Sequence, residues 1–124
     1  MWFLCAADQG DAEAQYNAGY CYKKGHGVPK DYVQAVYWFE QAAKQGYARA
    51  QYSLGECYRS GLGVTQDFQE AVNWYQQAAD QNYARAQFSL GLCYHKGYGV
   101  DLDYTLAAFW YKKAMEGGNA EAKK

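Results

Sequence analysis

The sequence lacks any apolar run that could cross a bilayer. Nothing in its 124 residues approaches the ~20 consecutive apolar positions that a transmembrane helix needs. It also lacks a charge excess, with 12 Lys and Arg against 13 Asp and Glu and a pI near 6.1. That balance excludes a nucleic-acid binder that works by blanketing phosphates with positive charge. The opening Met1-Trp2-Phe3-Leu4-Cys5-Ala6-Ala7 has neither the basic stretch nor the apolar length of a secretory signal. No Cys-x-x-Cys pair occurs, which leaves a zinc site unsupported. The two histidines, His26 and His95, have no Cys or carboxylate partner at a spacing that suggests catalysis or ligation. No cofactor or metal is expected. Proline occurs once against 13 glycines, and half of the residues are hydrophobic, which excludes a disordered polar segment. Aromatics reach 19%, with 14 tyrosines, and that excess needs a reason.

The reason is repetition. Shifting the chain by 36 residues superimposes Gly19, Gly55 and Gly91, then Cys21-Tyr22, Cys57-Tyr58 and Cys93-Tyr94. The same shift aligns Gly25-His26-Gly27-Val28 with Gly61-Leu62-Gly63-Val64 and Gly97-Tyr98-Gly99-Val100. Asp31, Asp67 and Asp103 follow in register, as do Trp38, Trp74 and Trp110. Most tyrosines are therefore repeated structural positions, each counted three times, and core packing accounts for them. The chain divides into a partial unit at 1–13, full units at 14–49, 50–85 and 86–121, and the start of another at 122–124.

Each unit reads as two helices. The first covers 12–24, 48–60 and 84–96, with repeated residues recurring at three- and four-residue steps. Gly25, Gly61 and Gly97 stand where a helix ends in a left-handed residue. These Gly-x-Gly turns follow a helix and recur three times, so they are structural turns and not phosphate loops. Each following valine is expected to plug into the core. The second helix covers 31–45, 67–81 and 103–117, capped by Asp31, Asp67 and Asp103. Gln34 and Glu70 stand three residues on, as in a capping box, whereas the third unit has Leu106 there. Such a hairpin cannot bury both faces alone, and stacked neighbours can, so the fold class is all-α, an α-solenoid. Cys21, Cys57 and Cys93 fall on the buried face of separate layers, about 10 Å apart by helix packing. That spacing is too far for a disulfide.

The run Ala86-Gln87-Phe88-Ser89-Leu90-Gly91, with Tyr94, Gly97-Tyr98-Gly99-Val100, Asp103, Ala107 and Trp110-Tyr111, resembles the Sel1-like repeat family, a relative of the tetratricopeptide repeats. Equivalent residues stand in the two preceding units. The resemblance implies a right-handed superhelix that acts as an adaptor for proteins or peptides, with no enzymatic chemistry. The family's secreted cysteine-rich branch pairs cysteines between the helices of every repeat, a pattern absent here, which favours a reducing, cytoplasmic setting. That branch also offers a precedent for a small-molecule hydrolase, but no nucleophile and base stand together in this sequence.

In related solenoids the first helices line the concave surface. One stripe of those helices does not repeat: Glu13, Arg49 and Arg85; Asn17, Ser53 and Ser89; Tyr20, Glu56 and Leu92; Lys24, Ser60 and Lys96. Steps of three and four residues keep it on one side. The expected partner contacts are Asn17, Tyr20, Lys24, Arg49, Ser53, Glu56, Arg85, Ser89, Leu92 and Lys96. First helices carry six basic residues to two acidic, and second helices three to seven, so an acidic protein or peptide segment is the expected partner. Tyr47 and Tyr83 stand just before first helices, where they cannot cap and are expected to stack on the adjacent unit, making a Tyr-Ala-Arg edge near the groove. A monomer is expected, with Leu4, on an outer helical position, offering a route to self-association. The alternative to an adaptor is a trimmed or engineered array with a purely structural role.

Overall fold

The structure, a computed structural model, describes the backbone of residues 10–122 and the side chains of residues 10–117. Leu4 and most of the partial unit at 1–13 lie outside the described residues. Among the described residues there are six helices and no strand: α1 (Ala12–Lys24), α2 (Tyr32–Lys44), α3 (Ala48–Ser60), α4 (Phe68–Ala79), α5 (Ala84–Lys96) and α6 (Tyr104–Ala122). The first helices of the units, α1, α3 and α5, have the expected bounds. The second helices each begin one residue later than expected, after the capping aspartate. The last one differs more, because α6 continues beyond 117. Left-handed residues turn the chain after α2 and α4, at Gly46 (φ 86) and Asn82 (φ 66). Gly118, their counterpart in the third unit, stands within α6, and the helix carries on through it.

Each helix packs on its neighbours in sequence, both within a hairpin and from one hairpin to the next. Two dry layers result. The first joins Ala35, Val36, Phe39, Ala42 and Ala43 of α2 to Ala50, Leu54 and Cys57 of α3. The second joins Ala71, Val72, Tyr75, Ala78 and Ala79 of α4 to Ala86, Leu90 and Cys93 of α5. Every member of the second set stands 36 residues after its counterpart in the first. Alanines let the helix backbones approach, while Phe39, Tyr75, Leu54 and Leu90 are fully enclosed. Enclosing a leucine contributes roughly 1.5–3 kcal/mol. Trp74 packs against the first layer and Trp110 against the second, so these two repeated tryptophans have matching surroundings.

Turns between the helices of a unit hold neighbouring units in register. Gly25, Gly61 and Gly97 end the first helices in the left-handed region (φ 74, 72 and 73), donating N–H to the carbonyls of Cys21, Cys57 and Cys93. The second glycine has a separate role. Gly63 and Gly99 are also left-handed (φ 74 and 70), and any Cβ there would run into the backbone of Tyr32 or Phe68, at the start of the preceding unit's second helix. Only glycine fits both requirements. Val64 and Val100 then reach the two layers, as expected.

The aspartate caps form, but not the reciprocal half of the capping box. Asp31 accepts from the Gln34 N–H, Asp67 from Gln69 and Glu70, and Asp103 from Leu106. Their own N–H groups donate to the carbonyls of Tyr22, Tyr58 and Tyr94, each at 2.9 Å. That backbone bond takes the donor a capping-box Glu or Gln would have used. Leu106 therefore leaves no donor stranded in the third unit.

A buried glutamine row ties the layers further. Gln51 donates to the Ala43 carbonyl (3.1 Å) and Gln87 to the Ala79 carbonyl (3.2 Å), near the ends of α2 and α4. Gln81 in turn donates to the Gln51 side chain at 2.9 Å, and Gln45 to that of Gln15 at 2.7 Å. Cys57 and Cys93 are buried and unpaired, and burial pushes both thiols up to about 11. Cys21 is also free but half-buried, less enclosed than the shared row predicted.

Candidate functional site

Three successive first helices line one groove of about 510 Å³. Helix α1 contributes Tyr16, Asn17 and Tyr20, brought to one side by their three- and four-residue steps. Arg49 enters from the first turn of α3, and Tyr83, Ala84 and Arg85 from the start of α5. The Tyr-Ala-Arg edge at 83–85 thus forms one wall.

Aromatic rings set the shape. Tyr16 leans on Phe39 beneath it and on Tyr47, which stands just before α3, with both ring centroids 5.6 Å away. Tyr83 repeats this on Tyr52, also at 5.6 Å. Tyr47 and Tyr83 therefore rest tilted rings, at 51° and 50°, on the preceding first helix where stacking on the adjacent unit was expected, and neither side chain caps its own helix. The first helix α1, by contrast, is capped by Asp11, which accepts from Glu13 and Ala14.

Cations alternate with these rings. The Arg49 guanidinium lies 5.8 Å from the Tyr16 ring centroid, and Lys24 Nζ lies 5.9 Å from that of Tyr20. Partial burial works against the Arg49 charge. The phenolic oxygens of Tyr47, Tyr83 and Tyr16, together with a hydrogen bond to Tyr83, outweigh it and raise the Arg49 pKa. Burial pushes the Tyr16 hydroxyl up, opposed by its hydrogen bond with Ser53 and by Arg49. Among the described residues, ion pairs join Lys44 to Glu40 and Arg59 to Glu56. Arg49, Arg85, Lys24 and Lys96 have no such carboxylate.

The structure divides the ten expected contacts. Asn17, Tyr20, Arg49 and Arg85 line the groove, and Lys24 flanks it over Tyr20. Lys96 is exposed at the far end of α5. Ser53 departs from the expectation that this stripe is released from packing. It is buried, and its hydroxyl bonds Tyr16 of the preceding unit. Ser89, half-buried, bonds Tyr52 in the same way. Glu56 is half-buried too, accepting from the Tyr75 hydroxyl at 2.6 Å and from Arg59 at 2.7 Å. Leu92 is half-buried.

Tyr16, Tyr83 and Ala84 line the groove although sequence reasoning placed none of them among the contacts. Tyr16 belongs to a row that is aromatic in every unit and so read as core; the signal that could have found it is Arg49, in the first turn of the next first helix. No group of three or more His, Cys, Asp or Glu converges among the described residues. His26 and His95 are exposed beside the rings of Tyr20 and Tyr104, at 6.0 and 5.6 Å. What the groove offers chemically is recognition: positive charge on aromatic walls, open to solvent.

Comparison with known proteins agrees with the architecture. The Sel1 repeat model matches residues 1–11, 12–47, 48–83 and 84–119. Among solved structures, a protective antigen of uropathogenic Escherichia coli displaying an SLR fold is 46% identical with a TM-score of 0.93, covering 94% of this chain and 25% of that one. A Sel1 repeat protein from Oxalobacter formigenes is 41% identical with a TM-score of 0.87, over 92% of this chain and 47% of the other. The chain thus spans half or less of the length of these two relatives. The Helicobacter pylori cysteine rich protein B shares the fold at 24% identity and a TM-score of 0.66, over 68% of this chain and 64% of its own. A search of curated proteins finds no match.

Proposed function

This chain belongs to the Sel1 repeat family, and on that premise we propose that it is a non-enzymatic scaffold holding a peptide or protein segment against its first-helix face. Proteins of this family are generally protein–protein interaction scaffolds. The observation that carries the finer reading is the groove itself. Three first helices from different units converge on it, and its walls combine partly exposed tyrosines with arginines that have no ion-pair partner among the described residues. Such a surface favours a segment of acidic character, steered by charge and held by ring contacts. Asn17, Tyr20, Lys24, Arg49 and Arg85 are the proposed direct contacts, with Leu92 and Lys96 extending the face along α5. Ser53 supports the groove wall through Tyr16, while Ser89 and Glu56 support the helices behind it through Tyr52 and Tyr75.

Selection from a random peptide library tests this reading. Wild-type protein is expected to enrich a related set of peptides, and Lys24→Glu with Arg85→Glu to lose them. Unchanged enrichment by the double variant would overturn the assigned face. Turnover of ester or β-lactam substrates by the wild type would overturn the non-enzymatic reading.

A further inference from the structure

We propose that the cleft holding Arg49 and Arg85 is a carboxylate receptor. The segment bound by the scaffold inserts there an Asp or Glu side chain, or a chain-terminal carboxylate, next to an apolar or aromatic side chain that rests on Tyr20. This proposal rests on the scaffold reading above and narrows it to one chemical group at one place.

Two guanidiniums from different units line one depression, and neither has an ion-pair partner among the described residues. Arg49 is already oriented. Its guanidinium carbon lies 5.8 Å from the Tyr16 ring centroid, and the Tyr83 hydroxyl is near enough to favour its charge. A guanidinium ordered before binding loses little freedom when it forms a paired, charge-assisted hydrogen bond with a carboxylate. Residues Tyr83, Ala84 and Arg85 bring the first turn of α5 to the same depression, and its amides add to the positive potential there. Tyr20, 40% exposed, supplies the apolar platform beside the charges.

The chain's other charged contacts point the same way. Arg59 is neutralised by Glu56 at 2.7 Å and is tied to Tyr75. The fold therefore pairs the arginine that stands against its interior and leaves two unpaired around the cavity. Exposed apolar side chains on the second helices, such as Val33 and Tyr37 on α2 and Phe109 on α6, line neither this groove nor the one beside the last turn.

The test is a thermodynamic cycle on the full 124-residue chain, using the strongest peptide enriched from a random library. Its affinity is measured by fluorescence anisotropy for wild type, Arg49→Gln, Arg85→Gln and the double variant. Each peptide acid is replaced by its amide in turn, and the peptide is made with both a free and an amidated C-terminus. The expected result is one carboxylate whose neutralisation weakens wild-type binding about ten- to a hundredfold but leaves the double variant's weak binding unchanged. Sensitivity to C-terminal amidation assigns the group to the chain end; sensitivity to Glu→Gln or Asp→Asn assigns it to a side chain. If peptides bind this face and lose affinity on Tyr20→Ala, yet every acid is replaceable on wild type, the carboxylate proposal falls and the scaffold reading stands. If the enriched peptides ignore Tyr20→Ala and both arginine variants, both fall. Unchanged far-UV circular dichroism and melting temperature in the arginine variants exclude unfolding as the cause of any loss.

Discussion

The two dry layers and the groove are built from the same first helices, yet they obey different rules. Between α2 and α3, and again between α4 and α5, the same rows meet in the same way, with Phe39 replaced by Tyr75 and Leu54 by Leu90. In the groove Arg85 copies Arg49, but the rows beside them diverge. Tyr20, Glu56 and Leu92 occupy one row, and the first lies in the groove, the second is locked to Arg59, and the third is half-buried. A layer must satisfy its neighbour's shape at every repeat, because packed interiors tolerate little change in volume. A face turned to solvent has no such requirement, so its side chains diverge.

The sharpest way to break this comparison is to shrink one residue in each region. Leu54→Ala removes a fully enclosed side chain from the first layer, and a loss of about 2–5 kcal/mol is expected in denaturant unfolding. Leu92→Ala, at a half-buried position on the opposite rule, is expected to cost clearly less. Equal losses would mean that the groove face is packed as tightly as the layers.

Alkaline titration probes the layers through their thiols, with the raised Tyr16 and Tyr52 hydroxyls adding to the same decline. Cys57 and Cys93, 1% exposed, have thiols raised from an ordinary 9 to about 11 by burial. Burial favours the neutral thiol, so the native state keeps its proton where the unfolded chain gives it up. Stability is therefore fully present below pH 9 and declines as pH rises from 9 toward 11, by about 2–3 kcal/mol for each thiol. Unfolding curves across that range check this, and Cys57→Ala with Cys93→Ala is expected to flatten the decline. Peptide affinity measured below pH 9 is expected not to change in that variant.

The smallest effect belongs to a position in neither region. Asp67 caps α4 through the N–H groups of Gln69 and Glu70, and Asp67→Ala is expected to cost about 0.5–2 kcal/mol with no change in peptide affinity. A change in affinity would show that the helix ends and the groove are coupled.

Repetition explains how much could be read without coordinates. Helix bounds, left-handed turns, aspartate caps and the composition of both layers were legible because each is stated three times in one sequence. The groove was legible only where a side chain acts within its own row. Ser53 and Ser89 looked unconstrained because Asn17 precedes them, but each answers a tyrosine of the preceding unit, Tyr16 and Tyr52. Glu56 varied for a similar reason. Its acceptor role exists because Tyr75 has a hydroxyl to donate, whereas Phe39 in the unit before has none. Variation along a row can thus mean a private partner as readily as freedom, and only distances separate the two.

The central claim is that the segment bound by this chain lies across the first helices. Titrating an enriched peptide into isotope-labelled protein and mapping amide shifts by NMR tests it most directly. Perturbations gathered at Asn17, Tyr20, Arg49, Tyr83 and Arg85, with Tyr37 and Phe109 silent, are the predicted result. Perturbations centred on Tyr37 and Phe109, with the groove silent, would contradict it.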